Sequence, residues 1–302
     1  MKLGYIGLGK MGFNMVERLL EKGHEIVAFS RTEKVVRDIA ERGAKPAGSV
    51  QSLVSALAAP RLIWLMIPYH AVDGVIKDLM PYLSEGDTII DGGNSPYRES
   101  MRRARELEET HIDFLDAGVS GGPGGARNGA CIMVGGKKAV YRKFKDLFRD
   151  LSARKGYAYM GKSGAGHFVK MVHNGVEYGM MQAIAEGFAV MRASPFDLDL
   201  MKIAELYNHR SVIESRLVGW LKTAFKQYGE DLKNISGAVA QTGEGAWTVE
   251  AAKELGVPVP IIEGALNVRI ELQKNPGYAG QILSALRHQF GGHEVSENSE
   301  TL

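Results

Sequence analysis

The sequence predicts an α/β protein: a Rossmann-like, doubly wound, mostly parallel sheet at the N-terminus, followed by an all-α C-terminal domain. Three observations carry that expectation. The first half alternates short apolar runs with amphipathic helical patterns, its first run leads directly into a glycine-rich turn, and strand signals stop after about Gly161. Strands separated by helices argue for βαβ units, and right-handed crossovers make a doubly wound sheet the default topology. With about 150 residues per domain, 302 residues suggest two domains. The boundary is placed at Lys162-Ser-Gly-Ala-Gly, giving a sheet domain over 1–162 and a helical domain over 163–302.

The elements follow in order. Leu3–Ile6 reads as a short buried strand, Gly9–Lys22 as an amphipathic helix and Glu25–Phe29 as a second strand. Helical patterns cover Glu33–Glu41 and Ser49–Ala58. Leu62–Ile67 and Thr88–Asp91 are apolar runs bounded by turn residues, which suits buried strands. Tyr97–Glu109 is a charged helix, with Arg102-Arg-Ala-Arg105 read as a solvated face. Ile112–Asp116 and Cys131–Val134 complete the strands, with Cys131 as a small core residue. Beyond the boundary, His167–Ala193, Asp199–Tyr207, Ser211–Tyr228, Thr248–Leu255 and Ile261–Lys274 read as helices. Met180-Met181 reads as packing. The polar stretch Glu294–Leu302 is expected to fray.

Composition narrows the class. Apolar residues make up 45% and charged residues 24%, values of a globular rather than a disordered chain. The 37 basic and 35 acidic residues nearly balance, so no electrostatic footprint points to nucleic acid or an anionic membrane. No apolar run approaches the ~20 residues of a membrane span. The start of the chain lacks the basic and apolar regions of a signal peptide, and a single cysteine suits a reducing cytoplasm. The unusual number is 37 glycines. Their clustering is what carries information.

Gly7-Leu8-Gly9-Lys10-Met11-Gly12 is a G-x-G-x-x-G that follows a strand and opens a helix. In that setting it predicts a phosphate-binding turn. Gly7 allows the bend, Gly9 lets the backbone approach a pyrophosphate, Gly12 permits close helix packing, and the helix N-terminus offers N–H groups to the anion. NAD sites place a carboxylate at the end of the second strand. Here that end is Phe29-Ser30-Arg31-Thr32. Arg31 can pair with a 2′-phosphate while Ser30 and Thr32 add hydroxyls, which favours NADP and leaves NAD possible.

Two loops end later strands, where open parallel sheets hold ligands. These are Asp91-Gly-Gly-Asn-Ser95, with Asn94, and Val119-Ser-Gly-Gly-Pro-Gly-Gly125. The second exposes the amides of Gly121 and Gly122 beside the Ser120 hydroxyl, which suits a carboxylate. The most informative stretch is His167–Met181, within the helix predicted over His167–Ala193. Lys170, His173, Asn174 and Glu177 recur at i, i+3, i+4 and i+7 on an otherwise apolar helix, so they face one way. A lysine and a glutamate there cost several kcal/mol unless paired or facing a wet pocket. A catalytic stripe accounts for them.

These segments resemble the decarboxylating 6-phosphogluconate dehydrogenase family, short-chain form, of the β-hydroxyacid dehydrogenase superfamily. The likeness rests on Gly7–Gly12, Asp91–Ser95, Val119–Gly125, Lys170–Tyr178 and Arg287-His-Gln-Phe-Gly-Gly-His293. It implies 6-phosphogluconate as substrate, with ribulose 5-phosphate, CO2 and reduced cofactor as products. Lys170 is implied as the base that takes the C3 hydroxyl proton and then returns it, and Glu177 as the acid that protonates C1. Ser120, Gly121 and Gly122 would hold the substrate carboxylate, His173 and Asn174 its hydroxyls, and Asn94 both cofactor ribose and substrate. Met66, Ile67 and Pro68 fall in the implied cofactor site.

Long members carry a phosphate-contacting lysine where this chain has Thr242, so Tyr178, Arg269 and Arg287 would hold the dianion. Arg269 stands at an exposed-looking helix end. The family's tail reaches into a neighbouring subunit's site, which implies that Arg287 and His293 serve a partner in a homodimer or a dimer of dimers. No H-E-x-x-H or other metal-ligand cluster occurs, and no metal is expected. Two other readings stay open: a β-hydroxyacid dehydrogenase acting on a smaller, unphosphorylated acid, and a non-catalytic NADPH-binding sensor.

Overall fold

In the computed structural model, residues 1–239 and 243–295 are described, and the chain divides into two units, Met1–Lys170 and the residues from Met171 onward. The first unit begins β1 (Lys2–Ile6), α1 (Lys10–Glu21), β2 (Glu25–Phe29), α2 (Glu33–Ala40), β3 (Lys45–Pro46) and α3 (Val50–Ser55). It continues through β4 (Leu62–Leu65), α4 (Tyr69–Leu79), β5 (Thr88–Asp91), α5 (Tyr97–Glu108) and β6 (Asp113–Ser120). Then come α6 (Gly122–Asn128), β7 (Ala130–Gly136), α7 (Lys138–Lys143), α8 (Lys145–Leu151), β8 (Ser152–Gly161) and the start of α9 (Ala165–Ala193).

The strands form one sheet in the order β3-β2-β1-β4-β5-β6-β7-β8. Every neighbouring pair is parallel except β6 with β7. Strand order reverses between β1 and β4, and the crevice outside the carboxyl ends of those strands is where such sheets take ligands. Alternation along the strands gives each face its own core. Leu3, Tyr5, Leu62 and Trp64 pack with Met15, Leu19 and Phe148 on one side. Ile6, Ile63 and Leu65 pack with Leu53, Val72 and Leu79 on the other. Both faces are covered, as a parallel sheet requires.

The second unit carries most of α9, followed by α10 (Leu200–Tyr207), α11 (Arg216–Tyr228), α12 (Glu244–Glu254), α13 (Pro260–Glu271) and α14 (Tyr278–Gly291). Its main core joins Met181, Ala185 and Phe188 of α9 to Leu221 and Phe225 of α11 and Ile282 and Leu286 of α14. The Glu230 carboxylate accepts from the Leu200 and Met201 amides at 3.1 and 2.8 Å, satisfying free N–H groups at the start of α10. No helix among the described residues is long and apolar enough to cross a membrane.

The expected fold class holds, and several elements depart from the sequence reading. The strands β3 and β8 and the helices α4, α6, α7, α8 and α14 are not among those expected from the sequence. Helix α11 begins at Arg216 rather than Ser211 because Ser215 caps it, its Oγ accepting from the Val218 amide at 3.2 Å. Arg287 belongs to helix α14 rather than to an extended tail, and it is buried in its own chain. Of the polar end expected to fray, residues 296–302 lie outside the described residues.

Candidate active site

In the first unit, the glycine turn is shaped by close approach. Gly7 has φ +102°, and a Cβ there would meet the Met66 carbonyl oxygen at 2.2 Å and Ile67 Cγ2 at 2.6 Å. A Cβ on Gly12 would lie 2.0 Å from the Gly7 oxygen, whereas one on Gly9 would meet nothing within 4 Å. The open face at Gly9, at the N-terminus of α1, is the space a pyrophosphate needs, and no acidic residue occupies that first turn. The residues present therefore fit a dinucleotide. Leu8 is buried, Met11, Met66 and Ile67 are half-buried, and Lys10 and Pro68 are exposed. Ser30 is half-buried after β2, while Arg31 and Thr32 are exposed, and the Thr32 side chain makes no cap bond to α2.

The Asn94 loop is braced from beneath. The buried Asp91 carboxylate accepts from the Gly93 amide at 3.0 Å, the Ser95 hydroxyl at 2.7 Å and Arg103 Nη1 at 3.2 Å. Arg103 also donates through Nε to Asp73 at 2.7 Å and through Nη2 to the Tyr69 carbonyl at 3.2 Å, tying α4 to the loop. The expected solvated arginine face is therefore wrong for Arg103, which is 2% exposed. A buried carboxylate needs a buried partner, and α5 turns Arg103 inward to meet Asp91. Arg102 is half-buried and bonded to Glu99, Asp73 and Glu106, and Arg105 is exposed.

Lys170 is held by the start of α9, which is docked on β6. The buried Asp116 carboxylate accepts from the amides of Gly164 at 2.7 Å and His167 at 2.9 Å, capping that helix end. A Cβ on Gly166 would meet the Met133 oxygen at 2.5 Å, and one on Gly118 would meet Lys170 Cβ at 2.4 Å. The buried His167 ring also pairs through Nδ1 with Ser100 Oγ at 2.7 Å. At the end of β6, Ser120 pairs with Cys131, and Gly121 and Gly122 turn the chain with φ +127° and +62°. Both glycines are half-buried, as is Ser120. Cys131 is exposed on β7, not in the core.

In the second unit, His173, Asn174 and Glu177 are half-buried along α9. His173 Nδ1 lies 3.0 Å from Asn174 Oδ1 and 3.9 Å from Glu177 Oε2. One turn on, Tyr178 is buried beneath Arg269, whose Cζ sits 3.4 Å from the ring centroid. Arg269 is 3% exposed and Arg287 9%. The exposed helix end expected for Arg269 is thus a buried position, because α13 turns that side chain onto the Tyr178 ring.

Burial pushes the Arg269 guanidinium below its ordinary value, Tyr178 raises it again, and Arg287 lowers it further. Burial likewise lowers Arg287, against the pull of Tyr178, Glu244 and Glu177. Arg287 thus lies close enough to act on Arg269, with the Glu177 carboxylate opposing on both. Helix α12 closes on this region through small residues, since a Cβ on Gly245 would meet the Tyr178 ring at 2.6 Å and one on Gly175 the Thr248 methyl at 2.6 Å. His293 is exposed beyond α14, and Thr242 lies outside the described residues.

Sequence reasoning missed Asp116, Gly118 and Arg103. A glycine inside a strand is the signal that could have found Gly118, since it marks a close approach. Among the described residues, no group of three or more His, Cys, Asp or Glu could hold a metal ion.

Comparison with known proteins gives a consistent picture. Residues 2–161 match the NAD binding domain of 6-phosphogluconate dehydrogenase, and residues 166–276 match the C-terminal domain of the same enzyme. The Bacillus subtilis protein YqeC is 44% identical over 297 residues, which are 98% of this chain and all of that one. The NAD(+)-dependent, decarboxylating 6-phosphogluconate dehydrogenase of Haloferax volcanii is 43% identical over 99% of this chain and all of its own length. The structure of Plasmodium falciparum 6-phosphogluconate dehydrogenase superposes with a TM-score of 0.82 at 33% identity, covering 91% of this chain and 62% of that one. The chain thus spans under two thirds of that longer relative and the whole of the two shorter ones.

Proposed function

The chain belongs to the 6-phosphogluconate dehydrogenase family, and from that premise we propose that it oxidatively decarboxylates 6-phosphogluconate to ribulose 5-phosphate and CO2. The observation that carries the reading is the pair of buried guanidiniums, Arg269 and Arg287, at Tyr178. A phosphate dianion would neutralise them, whereas a smaller unphosphorylated acid has no use for both.

The bound nicotinamide supplies the hydride acceptor. Neutral Lys170 takes the C3 hydroxyl proton as C3 is oxidised, and the resulting ammonium donates to the new carbonyl oxygen while the C1 carboxylate leaves as CO2. Glu177 then protonates the enediol at its terminal carbon. Ser120 and the Gly121 and Gly122 amides are assigned to the carboxylate, Asn94, His173 and Asn174 to hydroxyls, and Tyr178, Arg269 and Arg287 to phosphate. NADP is the favoured cofactor, because Arg31 and Thr32 leave exposed donors where an NAD site carries a carboxylate.

We assign the protein to the cytoplasm as a homodimer. Val176, Met180 and Val190 of α9 are 49%, 45% and 70% exposed and share a side of that helix with Ala183 and Gly187. Their spacing, alternating four and three residues, suits packing against a second copy. With Arg287 buried in its own chain, His293 is the tail residue assigned to reach a neighbour. The test is initial rate on 6-phosphogluconate and on gluconate with NADP and NAD in turn, followed by absorbance of the reduced nicotinamide. Preference for the phosphorylated substrate supports the reading, and equal or better turnover of gluconate contradicts it.

A further inference from the structure

A cleft of about 550 Å3 lies in the first unit between helices α7 and α8 and the edge strand β8, and it shares no residue with the candidate active site. Its volume is that of a small-molecule site. Lys145, Arg149, Arg154 and Lys155 line it, and no carboxylate does. Arg149 is committed to Asp146 and Asp150. Among the described residues, no ion pair joins Lys145, Arg154 or Lys155 to a carboxylate.

The backbone is built to present two of those cations. In the β7–β8 ladder, Ala130 pairs with Ser152 and Ile132 with Tyr157, so the segment between Ser152 and Tyr157 bulges from the sheet. At its crest Lys155 has φ +61°, a left-handed conformation that a lysine adopts only at an energetic cost. The bulge also needs its glycines. A Cβ on Gly129 would meet the Ala153 amide nitrogen at 2.7 Å, and one on Gly156 the Ala130 oxygen at 2.8 Å. Bulges of this kind re-aim side chains beside binding sites.

The rest of the lining is largely aromatic and fixed. The Tyr159 hydroxyl donates to the Gly136 carbonyl at 2.9 Å, and the Tyr141 ring stacks on Phe148 with centroids 5.7 Å apart and packs on Tyr159 at 5.3 Å. Tyr157 stands half-buried beside them, next to the bulge.

We propose that this cleft is a second ligand site, for a nucleoside polyphosphate whose phosphates meet Lys145, Arg154 and Lys155 and whose base lies against the tyrosines. Unpaired cations next to a rigid aromatic wall are the donor set that such a ligand recognises.

The test is calorimetric titration of ATP into the full chain, with and without saturating NADP, beside titration of inorganic tripolyphosphate. ATP binding that persists with NADP present, and weakens at least tenfold in K145A/R154A/K155A, supports the site. Tripolyphosphate is expected to bind about tenfold more weakly than ATP, the share of a stacked base. No ATP binding, full displacement by NADP, unchanged affinity in the triple variant, or tripolyphosphate binding as tightly as ATP would each overturn it. Should the triple variant fail to fold, Lys155→Gly gives the answer, since glycine accepts the same backbone. It should raise Tm while weakening ATP binding severalfold, and an unchanged affinity would count against the proposal.

Discussion

Gly118 and Lys170 are in contact: a methyl group in place of the Gly118 hydrogen would come within 2.4 Å of Lys170 Cβ and 3.0 Å of the Gly166 oxygen. The stem of the lysine is therefore set by strand β6. Asp116, two residues earlier on the same strand, holds the end of the same helix. For Gly118→Ala we expect a stability loss of about 1–3 kcal/mol from overpacking. Turnover should fall at least tenfold, about 1.4 kcal/mol, with dinucleotide affinity unchanged. Urea unfolding, steady-state rates and cofactor titration check the three parts.

Arg103→Met should be more damaging to folding. It would leave Asp91, which is fully buried, without its cation and free the Asn94 loop from α4. Breaking a buried pair from one side costs about 3–5 kcal/mol. Denaturant unfolding measures the loss, and a Lys at this position should recover only part of it because it lacks the guanidinium fork.

The same network gives a pH dependence. The hydrogen bond from Arg103, followed by that from Arg102, holds the Asp73 carboxyl below its ordinary value, although burial opposes them. A carboxyl lowered in the folded state stabilises fully above its unfolded value of about 3.9 and loses that contribution as pH falls through the folded value. The Tm difference between wild type and Asp73→Asn should therefore shrink as pH drops below 4. It should be flat between pH 6 and 8.

What the sequence made legible was the parallel half of the sheet and the glycine turns. There the apolar runs are short and continuous, and each turn needs a glycine for a local reason, as at Gly7. What stayed hidden depends on long-range partners. Strand β8 is an edge strand, exposed along much of its length and interrupted by a bulge, so it lacks any alternating pattern. Arg103 and Arg269 look like surface residues until Asp91 and Tyr178 arrive from distant segments. Arg287 read as tail because α14 was not visible as a helix, its glycines weakening the apolar period. The stripe from Lys170 to Glu177 was legible because one helix carries it all.

Arg269→Met tests the proposed phosphate site. Removing one of two buried guanidiniums should raise KM for 6-phosphogluconate at least tenfold while kcat changes little, the signature of lost uniform binding. Gluconate, which lacks the phosphate, should show a much smaller change. Steady-state kinetics on both substrates make the comparison, with circular dichroism to confirm the fold.

Lys170→Met addresses the proton-transfer claim most directly. Turnover of 6-phosphogluconate by this variant, measured together with its dinucleotide affinity, should be abolished while the cofactor still binds as it does to wild type. Turnover within about tenfold of wild type, a barrier change of only ~1.4 kcal/mol, would contradict the account by removing Lys170 from the chemistry.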